Sequence, residues 1–148
     1  MVVKLNKINI AIILSDYYKE ISDGLLAGAV EYCEKYNLDH VVFKVPGALE
    51  IGGAIKIISE GNGHVSFNGF IALGCVIRGE TSHFEIVINE SSRALTNLSI
   101  NNSLIIGNGI LTVENKDQAI NRSSKDSENK GYHAAYACHS LIKLKDTL

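Results

Sequence analysis

The 148-residue sequence reads as a three-layer α/β/α sandwich around a four-stranded parallel sheet. Two observations lead there. Apolar, β-rich runs alternate with segments of helical period, and two of those runs are almost unbroken rather than alternating. An unbroken apolar run marks a strand covered on both faces, the condition of a parallel sheet packed between helices. Strand, helix, strand at this spacing implies right-handed crossover units.

The elements follow in order. The first run, Ile8 to Leu14, and the third, Phe70 to Ile77, are the near-continuous ones, the pattern of strands buried on both faces. His40 to Val45 and Ser103 to Val113 supply the other two strands. Between the first two, Ile21, Leu25, Ala29 and Cys33 recur every fourth residue and define the buried stripe of a helix. Leu49, Ala54, Ile57 and Ile58 suggest a shorter helix, closed by Gly-Asn-Gly at 61–63. Phe84, Val87, Ile88, Ser91 and Leu95 form the face of a third, and Ala134, Cys138, Leu141 and Ile142 that of a last one. The polar stretch Asn121 to Gly131 reads as a surface loop between two helices. No repeat, low-complexity tract or linker interrupts the chain, so residues 1–148 are expected to form a single domain.

Composition narrows the class. At this length a domain buries roughly 68–70% of its unfolded surface, so no disulfide framework is needed. Fourteen Lys and Arg against sixteen Asp and Glu leave a net charge of −2, which argues against nucleic acid and anionic membranes as partners. The three cysteines (Cys33, Cys75, Cys138) are far apart, odd in number and without a C-x-x-C pair. Asn6, Lys7 and Asn9 break the N-terminal apolar stretch and no small-x-small cleavage site follows, so no signal peptide is expected. The longest apolar run has eight residues, too few to span a bilayer. A cytoplasmic location follows.

In a parallel α/β sheet ligands bind beyond the carboxyl ends of the strands. After the third run comes Arg78-Gly79-Glu80-Thr81-Ser82-His83. Gly79 lets backbone approach a ligand, and the helix start beyond it offers unpaired N–H groups and a positive dipole end, the makings of an anion site. Thr81 or Ser82 acting only as a helix cap is the plainer account. His83, in the first turn, faces the same dipole end, which favours a neutral imidazole able to take and return protons; a surface histidine at a helix start is the alternative. After the second run, Pro46-Gly47 turns the chain and Ala48 and Leu49 lead to Glu50, well placed against a helix dipole and able to accept hydrogen bonds from a polyol or amine. The Gly52-Gly53-Ala54 turn that follows implies close packing against another chain or a ligand. Cys75, in an apolar strand without an adjacent base, reads as a core residue. His64, His133 and His139 share no metal-ligand spacing, and no metal site is expected. Gly107 to Thr112 lacks the third glycine of a dinucleotide fingerprint, and no P-loop is present. Arg122 and Lys130, in the polar stretch, read as solvated charges unless the loop reaches a neighbouring subunit.

The segments PGALEI, ALGCVIRGETSHFEIVINESSRAL, NGILTVENKDQAINR and NKG, in this order and spacing, resemble the 6,7-dimethyl-8-ribityllumazine synthase family from about Ile8 to Ile142. The resemblance implies a flavodoxin-like four-stranded parallel sheet and the penultimate step of riboflavin biosynthesis. In that step 5-amino-6-(D-ribitylamino)uracil condenses with 3,4-dihydroxy-2-butanone 4-phosphate, without cofactor or metal. It implies a homopentamer with active sites between subunits, with a decamer or an icosahedral shell of pentamers as larger states, and riboflavin synthase as a candidate partner. By the same resemblance His83 is the proton donor. Glu80, Thr81 and a neighbour's Arg122 hold the phosphate. Ala48, Leu49 and Glu50 hold the ribityl chain, while Cys75, Val76 and Ile77 line the pyrimidine pocket. Tyr17 stacks on the heterocycle, and Lys130 of a neighbour reaches a pyrimidine oxygen. Asn108 takes a position aromatic in many members, where it can still bond the heterocycle. Tyr18 replaces a common Asn, and Gly52 a common Pro. A riboflavin synthase-like lumazine dismutase and a non-catalytic flavin- or lumazine-binding relative are the rival readings. A dismutase needs neither the anion cradle nor Arg122, and a binder has no use for the proton donor.

Overall fold

A computed structural model describes residues 7–61, 63, 65–125 and 128–148. The chain runs β1 (Asn9–Ser15), α1 (Lys19–Lys35), β2 (Asp39–Val45), a 3-10 turn (Ala48–Glu50), α2 (Ile51–Ser59), β3 (Gly69–Ile77), α3 (His83–Asn101), β4 (Ile106–Val113), α4 (Lys116–Ser123) and α5 (Lys130–Asp146). The four strands form one sheet in the order β2-β1-β3-β4, and every pairing is parallel. This is an α/β fold with the strand order of a flavodoxin-like sheet. Among the described residues no helix is long and apolar enough to cross a membrane.

The two near-continuous runs, read as strands buried on both faces, form β1 and β3, which occupy the centre of the sheet. Ile12 of β1 is opposite Val42 on one side and Ile71 of β3 on the other. Alternate residues feed opposite layers, as the pleat requires. Ile10, Ile12, Leu14, Ile71, Leu73 and Leu111 pack with Ile21, Leu25, Ala29 and Cys33 of α1, Ala119 of α4 and Ala134, Cys138 and Ile142 of α5. Ala11, Ile13, Phe70, Ala72, Val76 and Ile110 pack with Ile51 and Ile55 of α2 and Phe84, Val87, Leu95 and Leu98 of α3. Each fully buried Ile or Leu contributes about 1.5–3 kcal/mol relative to exposure, so both helical layers are held by the same two strands.

Several expectations need correction. The fourth strand begins at Ile106 rather than Ser103, because Ser103 takes a left-handed conformation (φ 56°) that ends α3's exit turn instead of extending a strand. In α2 the buried residues are Ile51, Gly52 and Ile55, whereas Ile57 is 73% exposed. Gly52 sets that rotation: a Cβ there would press on the Ala94 side chain of α3. The close packing expected at Gly52 is therefore with α3 of the same chain. Leu141 is exposed, leaving Ala134, Cys138 and Ile142 as the buried face of α5. The stretch read as a loop from Asn121 to Gly131 is shorter: Asn121, Arg122 and Ser123 complete α4, and Lys130 and Gly131 open α5. Asn115 starts α4, its side chain accepting from the Gln118 N–H at 2.9 Å. Asn62 of the predicted helix stop, and residues 1–6 and 126–127, lie outside the described residues.

Between α1 and α5 the buried Tyr32 hydroxyl lies 2.8 Å from Nδ1 of the buried His139. Burial, then the nearby Lys143, lowers the His139 pKa, while burial and the surrounding tyrosines push Tyr32 up to about 12. The phenol is therefore the donor and a neutral imidazole the acceptor. Nearby, α5 lies directly on β4: a Cβ on Gly107 would collide with the Ala134 carbonyl and crowd the Cys138 Cβ. Backbone on both sides leaves little room to adjust. Gly107→Ala is expected to destabilise the fold by about 3 kcal/mol, read from chemical denaturation; a loss under ~1 kcal/mol would show that α5 can ride up on the sheet.

Candidate active site

The strand order reverses between β1 and β3. From β1 the chain moves outward to β2, then crosses back to the other side of β1. Loops leaving the carboxyl ends of β1 and β3 therefore part in opposite directions and open a crevice. A cleft of about 490 Å³ lies there. Tyr17, Ala48, Leu49, Glu50, Cys75, Val76, Ile77, Thr81 and His83, all singled out in the sequence, line it.

Each wall has a local cause. β3 ends at Ile77, so Cys75 and Val76 reach the cleft while still buried and Ile77 is half-buried. Burial raises the Cys75 thiol to about 11, which agrees with a core role rather than a nucleophilic one. Pro46-Gly47 turns the chain at the end of β2, and the Glu50 N–H closes the 3-10 turn on the Gly47 carbonyl at 3.1 Å. That turn buries Ala48 and leaves Leu49 and Glu50 exposed to the cleft. Tyr17 follows β1, is 74% exposed, and meets Tyr18 edge-on with ring centroids 5.0 Å apart.

The fourth wall is the start of α3. Ser82 occupies the N-cap without a side-chain capping bond, and Thr81 Oγ1 instead accepts from the His83 N–H at 3.4 Å. His83 is exposed in the first helical turn. Gly79 also lines the cleft, and a Cβ there would meet nothing within 4 Å, so the space beside it is open. Arg78 is engaged elsewhere. Its guanidinium pairs with Glu85 at 2.8 Å and Glu114 at 2.6 Å and lies over the Phe84 ring, 4.5 Å from the centroid. Its own backbone N–H and then Arg78 hold the Glu85 carboxyl below its usual range. Arg78 thus ties the first turn of α3 to the end of β4.

Four predicted residues are not in the cleft wall: Glu80, Asn108, Arg122 and Lys130. All are exposed. Glu80 sits on the loop but outside the lining. Asn108 is near the amino end of β4, on the sheet edge, where its Oδ1 accepts from the Ile110 N–H at 2.9 Å. Arg122 is in the last turn of α4 and donates to the Gln118 carbonyl at 3.3 Å, while Lys130 begins α5. The lining in turn includes Ser15, Tyr18, Pro46, Gly47, Phe84 and Val87, to which the sequence assigned no site role although Pro46, Gly47, Phe84 and Val87 lie in the quoted segments and Tyr18 adjoins Tyr17; Tyr18 is half-buried there. Among the described residues, the charged and titratable side chains of the wall include Glu50 and His83 but no Lys or Arg. Among the described residues no group of three or more His, Cys, Asp and Glu is placed to hold a metal ion, and His64 lies outside them.

Comparison with known proteins adds a family. The family model described as 6,7-dimethyl-8-ribityllumazine synthase matches residues 7–146. A protein of that name from Bartonella henselae is 51% identical over 139 residues, covering 94% of this chain and 89% of its own. One from Agrobacterium fabrum is 47% identical over 146 residues, covering 97% and 99%. A third, the synthase 1 of Rhizobium meliloti, is 44% identical over 147 residues, covering 98% and 96%.

Burial also raises Cys33 to about 11 and Cys138 to about 12, and all three cysteines are free and buried. At pH 8 a charged disulfide reagent is expected to leave the native protein essentially unlabelled and to titrate all three thiols after denaturation. Rapid native labelling of Cys75 would show that the floor of the cleft opens.

Proposed function

The chain belongs to the 6,7-dimethyl-8-ribityllumazine synthase family, and from that premise we propose that it condenses 5-amino-6-(D-ribitylamino)uracil with 3,4-dihydroxy-2-butanone 4-phosphate. The 5-amino group attacks the ketone and water leaves as the imine forms. Inorganic phosphate is then eliminated, and the ribitylamino nitrogen closes the ring with loss of a second water, giving 6,7-dimethyl-8-ribityllumazine. This is the penultimate step of riboflavin biosynthesis. The observation that carries the reading is one cleft at the β1/β3 switch point that gathers His83, Thr81, Glu50 and the end of β3.

The roles follow from what each group offers. Amines and ketones condense readily, so holding both substrates in register supplies much of the acceleration, up to about 7–11 kcal/mol for well-oriented pairs. The end of β3, from Cys75 to Ile77, presents backbone groups to the pyrimidine, and exposed Tyr17 offers it an aromatic face. Ala48, Leu49 and Glu50 face the ribityl hydroxyls, with the Glu50 carboxylate as acceptor. His83, at the cleft mouth, moves protons during phosphate loss and ring closure. Thr81, Glu80 and the α3 start receive the phosphate.

One charge is missing from this account. The substrate is a phosphate ester, yet among the described residues no Lys or Arg lines the cleft and Arg78 is held by two carboxylates. A second copy supplies it: Arg122, exposed at the end of α4, reaches the phosphate of the adjacent site. Lys130 and Asn108, also exposed, reach the heterocycle from the same side. The working form is thus a ring of copies, a homopentamer in this reading, each chain acting as a single domain. The free, buried thiols suit the reducing cytoplasm.

The test follows lumazine absorbance on mixing both substrates with purified protein, against a protein-free control. His83→Ala is expected to slow turnover by about 10²–10⁴-fold while leaving measurable activity; abolition in a folded variant would overturn this division of labour. Arg122→Ala is expected to raise KM for the phosphate substrate about tenfold, with the pyrimidine KM little changed; equal weakening of both would count against the assignment. Assemblies refolded from equal amounts of His83→Ala and Arg122→Ala chains should be more active than either variant alone, because some sites then pair an intact His83 with a neighbour's intact Arg122. No recovery in a mixed oligomer would place both residues in one copy's site.

A further inference from the structure

Arg122 and Lys130 lie on different helices, separated by a loop, and neither is packed in the protein core. A charge held that way contributes little unless something fixes its base. The side chain between them does so. Asn129 is 8% exposed. Its Oδ1 caps α5, accepting from the Tyr132 N–H at 3.1 Å. Its Nδ2 donates to the Ser123 carbonyl at 2.9 Å and reaches the Ser124 carbonyl at 3.4 Å, the final carbonyls of α4. The same Nδ2 donates to the Gly24 carbonyl of α1 at 2.9 Å. One amide therefore ends α4, starts α5 and fastens both to α1.

The packing is built around that amide. A Cβ on Gly28 would collide with the Asn129 carboxamide, and one on Gly24 with the Ser123 carbonyl. Backbone thus meets side chain where any residue but glycine would hold them apart. Arg122 directly precedes Ser123 and Lys130 directly follows Asn129. Resting on the reading above, in which these two cations complete a neighbouring site, we infer that Asn129 is a positioning residue that sets the spacing of Arg122 and Lys130 and so governs binding of both substrates while touching neither.

Asn129→Asp keeps the shape and the cap acceptor but turns the donor into an oxygen facing carbonyls. Asn129→Ser keeps a capping hydroxyl too short to span the three carbonyls. Steady-state kinetics are measured for both substrates in these variants, in Arg122→Ala, in Lys130→Ala and in Asn129→Asp combined with Arg122→Ala. Either Asn129 variant is expected to raise both KM values about tenfold with kcat changed much less. In the double variant the phosphate-substrate KM should rise no further than in Arg122→Ala, while the pyrimidine KM still rises. A partial loss of folded protein lowers apparent kcat alone, so unchanged KM values would overturn the inference. Failure of both Asn129 variants to fold would likewise assign the residue to the fold only. If Arg122→Ala and Lys130→Ala leave both KM values unchanged, the underlying reading of those cations fails instead.

Discussion

Everything in this molecule depends on β1 and β3 being apolar on both faces. A strand with two greasy faces cannot border water, so each face must be roofed by helices. With parallel neighbours the strands are joined by crossover helices, and right-handed crossovers put those helices on opposite faces only if the chain reverses direction across the sheet; α4 and α5, after the last strand, complete the α1 face. The reversal falls between β1 and β3, and it parts the loops that leave their carboxyl ends. The cleft is thus a by-product of burying Ile10 to Leu14 and Phe70 to Val76. A polar substitution in either strand endangers the site before it reaches any group that lines it.

The sequence was most legible where burial is two-sided or strictly periodic. The central strands and the α1 stripe of Ile21, Leu25, Ala29 and Cys33 stand in the structure as read. It was less legible where a single contact decides. Gly52 against Ala94 rotates α2 so that Ile55 is buried and Ile57 is not, and no local pattern shows which of two isoleucines faces inward. The end of α4 read as loop because its residues are polar; an Asn115 cap at its start and the Asn129 amide at its end bound the helix, and that amide is itself held by the distant Gly24 carbonyl. The site divides the same way. Residues adjoining strand ends are found together at the cleft, whereas Glu80, Asn108, Arg122 and Lys130, named from the family pattern, are not in its lining.

The electrostatic division follows from that geometry. Arg78 stands in the loop motif, where a cation for an anion site would be sought, yet Glu85 and Glu114 hold it and Phe84 lies beneath it. Its work is mechanical: it joins the start of α3 to the end of β4, and the Glu114 backbone N–H in turn donates to Gln118 Oε1 of α4 at 2.8 Å. The helix that bears His83 and the helix that bears Arg122 are therefore linked through one exposed ion-pair cluster, while no Lys or Arg among the described residues lines the cleft.

The two open borders of the sheet have a consequence for the newly made chain. An unpaired strand edge is a template for any passing strand, and among the described residues no further strand covers β2 or β4. On the β4 border, Asn108 folds its amide back and engages the Ile110 N–H, removing a donor that an incoming strand would need. On the β2 border, Asp39, His40 and Lys44 place polar and charged side chains along the strand, and Asp39 is fastened to Lys7 at 2.9 Å. These devices oppose edge-to-edge aggregation, so that the sheet ends at its own four strands rather than spreading from chain to chain.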